Sequence, residues 1–232
     1  VWHLLPDWPT LEPLLTLLLD TPQFFVMFWN SIGQSVAQVV GNLLVGAPAA
    51  WAISRLRFRG RSMVRGLYIV LMLLPFQVTM VPSYLVLRQF GLLDTPWAII
   101  LPGIFSTFPV FIMERGFDTV PREVLESASI DGANQWQRFW RIGIPLGIPG
   151  LISALTLGFL DAWNAIEQPM TFLESPQYWP LSLFFTDPAN LDTKQLGLAM
   201  AASLWMLLPS ILAFRFGQTY LEAGLTKGAV KG

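Results

Sequence analysis

Glu126, Asp131 and Gly132 punctuate the polar stretch ESASIDGANQWQRFWRIGIPLGIPG (126–150) inside an otherwise apolar chain. Their arrangement looks organised for docking, against the plainer reading of a solvated surface loop. A second group, Ser153, Leu157, Asp161, Asn164 and Gln168, falls on one face at helical spacing. An acid and two amides there can exchange hydrogen bonds with a polar solute such as a sugar, or with a neighbouring helix. Gln77 joins Asp161, Asn164 and Gln168 as a candidate solute-pathway residue. Asn30, Gln34, Gln38 and Asn42 recur every four residues as a polar stripe, for which interhelical hydrogen bonding is favoured over pathway lining.

Catalytic chemistry has no basis in these residue types. His3 is the single histidine and cysteine is absent, so no triad, thiolate or clustered metal site is expected. G-x-x-x-x-G-K-[ST], G-x-S-x-G and H-E-x-x-H are all missing, and no cofactor is expected on this chain. A net charge of −1 suggests no nucleic-acid partner.

The elements positioning these residues are membrane helices. Of 232 residues, 53% are hydrophobic and only 12% charged, too little charge to coat a soluble surface. Five apolar spans are expected over 26–53, 64–87, 97–117, 143–168 and 197–218, each long enough to cross a bilayer. Asp161 is expected to be the one acid well inside a span. Pro75, Pro82, Pro109 and Pro209 are candidate kinks.

Basic residues orient the spans. Arg55, Arg57, Arg59, Arg61 and Arg65 follow the first; Arg115, Arg122, Arg138 and Arg141 follow the third; Arg215, Lys227 and Lys231 close the chain. The remaining two of the 14, Arg88 and Lys194, fall on the other side. The positive-inside rule makes 54–65 and 118–142 cytoplasmic, and 1–25, 88–96 and 169–195 external. The expected organisation is an external segment 1–25, a transmembrane domain 26–221 and a cytoplasmic tail 222–232.

Within 118–142, Pro121, Glu123 and Glu126 suit the start of a short helix, and Gly132 its end. Asn134 can cap a second helix whose Trp136, Phe139, Trp140 and Gly143 form one apolar face, leading to a span from Pro145. Helix, turn and helix would make a lever projecting from the membrane.

The same residues resemble the EAA loop of binding-protein-dependent ABC importer permeases. Glu126-Ser127-Ala128, Asp131-Gly132-Ala133 and Ile142-Gly143-Ile144-Pro145 match its order and spacing, with Ser127 replacing an Ala and Ile144 a Leu. AAWAISRLRFRGRS (49–62) and LLPFQVTMVPSYLVLRQFGLLDT (73–95) resemble the second permease of maltose-type carbohydrate importers, with Arg59 where Pro is common. WPTLEPLLTLL (8–18), Asn30-Ser31, Trp163-Asn164 and the terminal GLTKGAVKG extend the likeness along nearly the whole chain.

This resemblance implies an all-α, MetI-like helical bundle in the bacterial or archaeal inner membrane, whose five spans correspond to family helices two to six, the first lying outside this chain. It implies that Glu126, Ser127, Ala128, Asp131, Gly132 and Ala133 dock an ATPase subunit. The implied partners are a homologous permease, two ATPases carrying ATP and Mg, an external solute-binding protein and the lipid bilayer. The expected function is import of a carbohydrate; a glycerol phosphate importer or a non-transporting scaffold are the alternatives. A glycerol phosphate would call for a basic cluster at the membrane midplane, and none is visible.

Overall fold

Proline and apolar length together shape the molecule. The computed structural model describes residues 10–184 and 196–229. His3, Lys194, Lys231, the side chain of Lys227 and the end of the GLTKGAVKG tail lie outside what it describes. The elements are α1 (Glu12–Leu19), α2 (Pro22–Arg55), α3 (Arg61–Leu73), α4 (Phe76–Gln89), α5 (Trp97–Ile104), α6 (Thr107–Asp118), α7 (Arg122–Ile130), α8 (Gln135–Arg138), α9 (Ile144–Asn164), α10 (Glu167–Phe172) and α11 (Leu196–Ala229). Short 3-10 turns cover Pro176–Tyr178 and Leu181–Leu183, and a π-helical turn at Phe139–Gly143 joins α8 to α9.

Four stretches among the described residues are long and apolar enough to cross a bilayer: Pro22–Arg55, Trp97–Asp118, Gln135–Asn164 and Gly197–Glu222. The expected straight span over 64–87 is instead two helices, α3 and α4, meeting at 102°. Leu74 precedes Pro75 and is pushed to extended backbone, φ −72° and ψ 125°, because the proline ring disfavours helical geometry there. The expected span over 143–168 likewise ends early, at Asn164. Continuing it would drive the Pro169 ring against the carbonyl of Ala165, and the chain leaves the helix at that residue. The same relation between Pro109 and Phe105 accounts for the break between α5 and α6. Pro82 and Pro209, by contrast, sit inside continuous helices.

Helices α2, α6 and α9 form the centre. Trp51, Met113, Phe117, Phe139 and Leu151 make one buried cluster between them. Gly116 and Gly150 bring α6 and α9 together: a Cβ on Gly116 would lie 2.6 Å from the Gly150 Cα. A second cluster, including Leu17, Phe24, Trp163 and Phe184, closes the opposite end of α2 around α1 and α11. Outside this core, Met63, Leu67, Val70, Val78 and Leu85 on α3–α4, and Met200, Leu207 and Phe216 on α11, are exposed apolar side chains. Such surface belongs against lipid or another membrane subunit.

Candidate functional site

The 122–144 segment is built from two interlocking caps. Helix α7 ends in a left-handed glycine, Gly132, with φ 84°. Its N–H donates to the Ser129 carbonyl at 3.2 Å, and the Ala133 N–H to that of Ala128 at 2.9 Å, a Schellman turn. Two residues later Asn134 caps α8. Its Oδ1 accepts from the Gln137 N–H at 2.9 Å, while the Gln137 Oε1 accepts from the Asn134 N–H at 2.8 Å. The sequence signals at Gly132 and Asn134 thus produce the helix–turn–helix expected of them; the reciprocal bond from Gln137 was not foreseen.

Only Leu125 of α7 is buried. Glu126, Ser127, Asp131 and Gly132 are exposed, Ala128 and Ala133 half-buried. The Glu126 carboxylate has no hydrogen-bond partner among the described residues, and Ile130, one turn on, is 86% exposed. The expected single face of Trp136, Phe139, Trp140 and Gly143 is corrected. Phe139 and Gly143 are buried against Trp51, whereas Trp136 and Trp140 stay exposed. The reason is the π turn, where the Ile144 N–H reaches back five residues to the Phe139 carbonyl and shifts the side-chain period away from 3.6.

A cavity of about 1110 Å³ opens between α2, α3, α4, α5, α6, α9 and α10. Asp161 and Asn164 line it from α9 and Gln168 from α10, so Gln168 reaches it from a different helix than the expected face. The Asp161 carboxylate has no hydrogen-bond partner among the described residues. Gln77 is corrected: it does not line the cavity but donates from α4 to both carboxylate oxygens of Glu167, a lining residue, at 2.8 and 2.7 Å. Ser153 is buried with its hydroxyl on the Pro149 carbonyl and lies off the cavity. Among the described residues, Asp161 and Glu167 are the charged ones in the lining, with no Arg or Lys.

The polar stripe of α2 does mainly structural work. Asn30 donates to the carbonyls of Gln177 and Trp179, and Gln34 to that of Tyr178, anchoring the 176–181 segment. Asn42 donates to the carbonyls of Ile104 and Ser106, which the break between α5 and α6 frees from helical bonding. Gln38 and Asn42 also line the cavity.

Asp161, exposed to the cavity, is not the one acid within the spans. Glu114 on α6 is 2% exposed and paired with Arg65 of α3. Sequence reasoning passed over it, although Glu114 and Asp118 stand four apart on one helical face and five arginines crowd 55–65.

With lever and cavity placed, the likeness to known proteins decides the family. Residues 42–227 match the model of the binding-protein-dependent transport system inner membrane component family. The chain belongs to this family. A binding-protein-dependent inner membrane component is a multi-pass, non-catalytic permease subunit of an ABC importer and works within a multi-subunit transport system. The chain is 33% identical over 234 residues to the inner membrane ABC transporter permease protein YcjP of Escherichia coli, covering 99% of this chain and 83% of that one. It is 32% identical to the diacetylchitobiose uptake system permease protein DasC of Streptomyces coelicolor, covering 92% and 78%. Among solved structures it resembles a bacterial ABC transporter involved in import of the acidic polysaccharide alginate. There the TM-score is 0.80 at 26% identity, over 93% of this chain and 81% of that one.

Proposed function

We propose that this permease imports a carbohydrate as one half of a permease pair, with two ATPase subunits below and a solute-binding protein outside. Five crossings follow if the bent pair α3–α4 forms one broken span. The Arg-rich ends 54–65 and 118–142 face the cytoplasm, and 88–96 and 169–184 face outward. The observation that carries the reading is α7: an exposed helix with an unbonded Glu126, held rigid by the Gly132 turn and the Asn134 cap. Glu126, Ser127, Ala128, Asp131, Gly132 and Ala133 would enter a cleft on the ATPase, as the EAA resemblance implies.

The solute would pass along the cavity beside Asp161, Asn164 and Gln168, with Gln77 acting through Glu167. Lining without an Arg or Lys among the described residues favours an uncharged oligosaccharide over a glycerol phosphate, which needs cationic partners. Relatives named for diacetylchitobiose and arabinooligosaccharide transport support the same class.

The test is reconstitution of the full complex in liposomes. Oligosaccharides are expected to accumulate with ATP; Asp161→Asn should slow uptake more than Ser153→Ala and leave ATPase association intact. Uptake of glycerol phosphate instead would move the substrate class. A chain that never co-purifies with an ATPase would be a scaffold. Since the chain lacks cysteine, Cys at Ser62 and at Gln177 should label from opposite sides, and labelling of both from outside would invert the topology.

A further inference from the structure

Helix α3 has no buried residue, yet it carries Leu71 and Met72 into the cavity wall. Apolar packing therefore does little to fix its place within this chain beyond the half-buried Tyr68, which meets the central cluster. What does fix it is a polar clamp at its other end. Arg65 donates through Nε to Glu114 Oε1 and through Nη2 to Asp118 Oδ2 at 2.7 Å. Asp118 Oδ1 accepts from the Ser54 hydroxyl at 2.7 Å. Arg55 donates to the carbonyls of Phe117 and Val120, the last turns before α7, and Arg61 to those of Ile53 and Ser54, each at 2.6 Å. Three arginines thus tie the ends of α2, α3 and α6 to one another, beside the point where the chain enters α7.

We infer that Arg65 is a positioning residue that makes α3, and with it the cavity wall, move with the α7 lever. The clamp sits at Asp118, and α7 begins at Arg122. Any displacement of α7 acts first on the α6 end that holds Glu114 and Asp118. From Arg65 to the cavity-lining Met72 the helix is an unbroken rod of about 10 Å. Ion pairs between rigid elements can carry such coupling across that distance, and a guanidinium bridging two carboxylates on one helix face resists rotation as well as separation. Breaking the pair leaves Glu114 buried without its cation, so opening the joint carries a cost. This inference rests on the reading of α7 as the ATPase-docking element.

The test uses the whole complex in liposomes, with ATP and vanadate as the probe, so the solute need not be known. Spin labels at Val70→Cys on α3 and Leu146→Cys on α9, both exposed positions, report the distance between the two helices. The wild-type distance is expected to shift when nucleotide is trapped. Arg65→Gln should trap nucleotide to the same extent while losing most of that shift, and Arg65→Lys, which keeps one charge, should restore part of it. A full shift in Arg65→Gln overturns the inference, as does wild-type trapping with no shift. If Arg65→Gln fails to assemble, Asp118→Asn decides, because it removes half of the clamp: a reduced shift supports the inference and an unchanged one overturns it. A wild-type complex that traps no nucleotide overturns the docking reading itself.

Discussion

Gln77 and Glu167 lie 90 residues apart, and one side-chain amide of the first bonds both carboxylate oxygens of the second. This contact joins α4 to α10 at the rim of the cavity. Gln77→Glu would place two carboxylates within hydrogen-bond distance and drive the helices apart. Gln77→Leu would only release Glu167, at about 1 kcal/mol for an exposed bond. Initial uptake rates in liposomes should fall in the order Gln77, Leu, Glu, with ATPase association unchanged throughout. Equal rates in all three would show that Glu167 has no part in the solute path.

Gly132 offers a graded test of the lever. A Cβ there would touch nothing within 4 Å, so substitution strains the backbone alone. Left-handed geometry costs a β-carbon residue about 1 kcal/mol, and Asn less. Binding of the ATPase should weaken in the order Gly, Asn, Ala, Val, with Ala down by roughly fivefold. Glu126→Lys should weaken it further, by presenting a like charge to the expected cationic cleft. Co-purification from membranes measures both series, and a Val variant that binds as well as Gly would remove the need for this turn.

Asp94 predicts a pH response at the opposite end of the molecule. Its carboxylate accepts from the Ser175 hydroxyl at 2.6 Å, the Ser175 N–H at 2.8 Å and the Glu174 N–H at 3.0 Å. These bonds, the Ser175 hydroxyl first, hold Asp94 below the usual carboxylate range. A depressed pKa stabilises the fold above the unfolded value of about 3.9 and loses that contribution as pH falls through the folded one. Amide-exchange protection at Glu174 and Ser175 should therefore be flat from about pH 5 to 8 and fall only in more acid solution. Asp94→Asn should abolish the acid-side change, and a loss of protection near neutrality would contradict the assignment.

The crossing of α6 and α9 admits no side chain. Gly116→Ala or Gly150→Ala should cost about 1–3 kcal/mol through overpacking. Gly33→Ala, where a Cβ meets nothing within 4 Å, should be neutral or slightly stabilising. Thermal unfolding in detergent compares the three directly, and equal melting temperatures would mean that the helices can part at no cost.

The sequence by itself determined whatever depends on a few neighbouring residues. Apolar runs long enough for a bilayer became helices, Gly132 took positive φ, and Asn134 capped α8, because backbone sterics and local hydrogen bonds act within one turn. The prolines at 75, 109 and 169 held the breaks in the spans just as locally, although apolar length alone suggested unbroken helices. Tertiary structure decided the rest. Gln77 meets Glu167 across 90 residues and Arg65 meets Glu114 across 49, and only the crossing angles of whole helices bring such pairs together. The cavity wall has the same origin: Asp161 and Gln168 face one space from two helices, since the break at Ala165 re-aims the second. Periodicity can place a residue on a face; which neighbour that face meets is set by how closely glycines such as Gly116 and Gly150 let the helices pack.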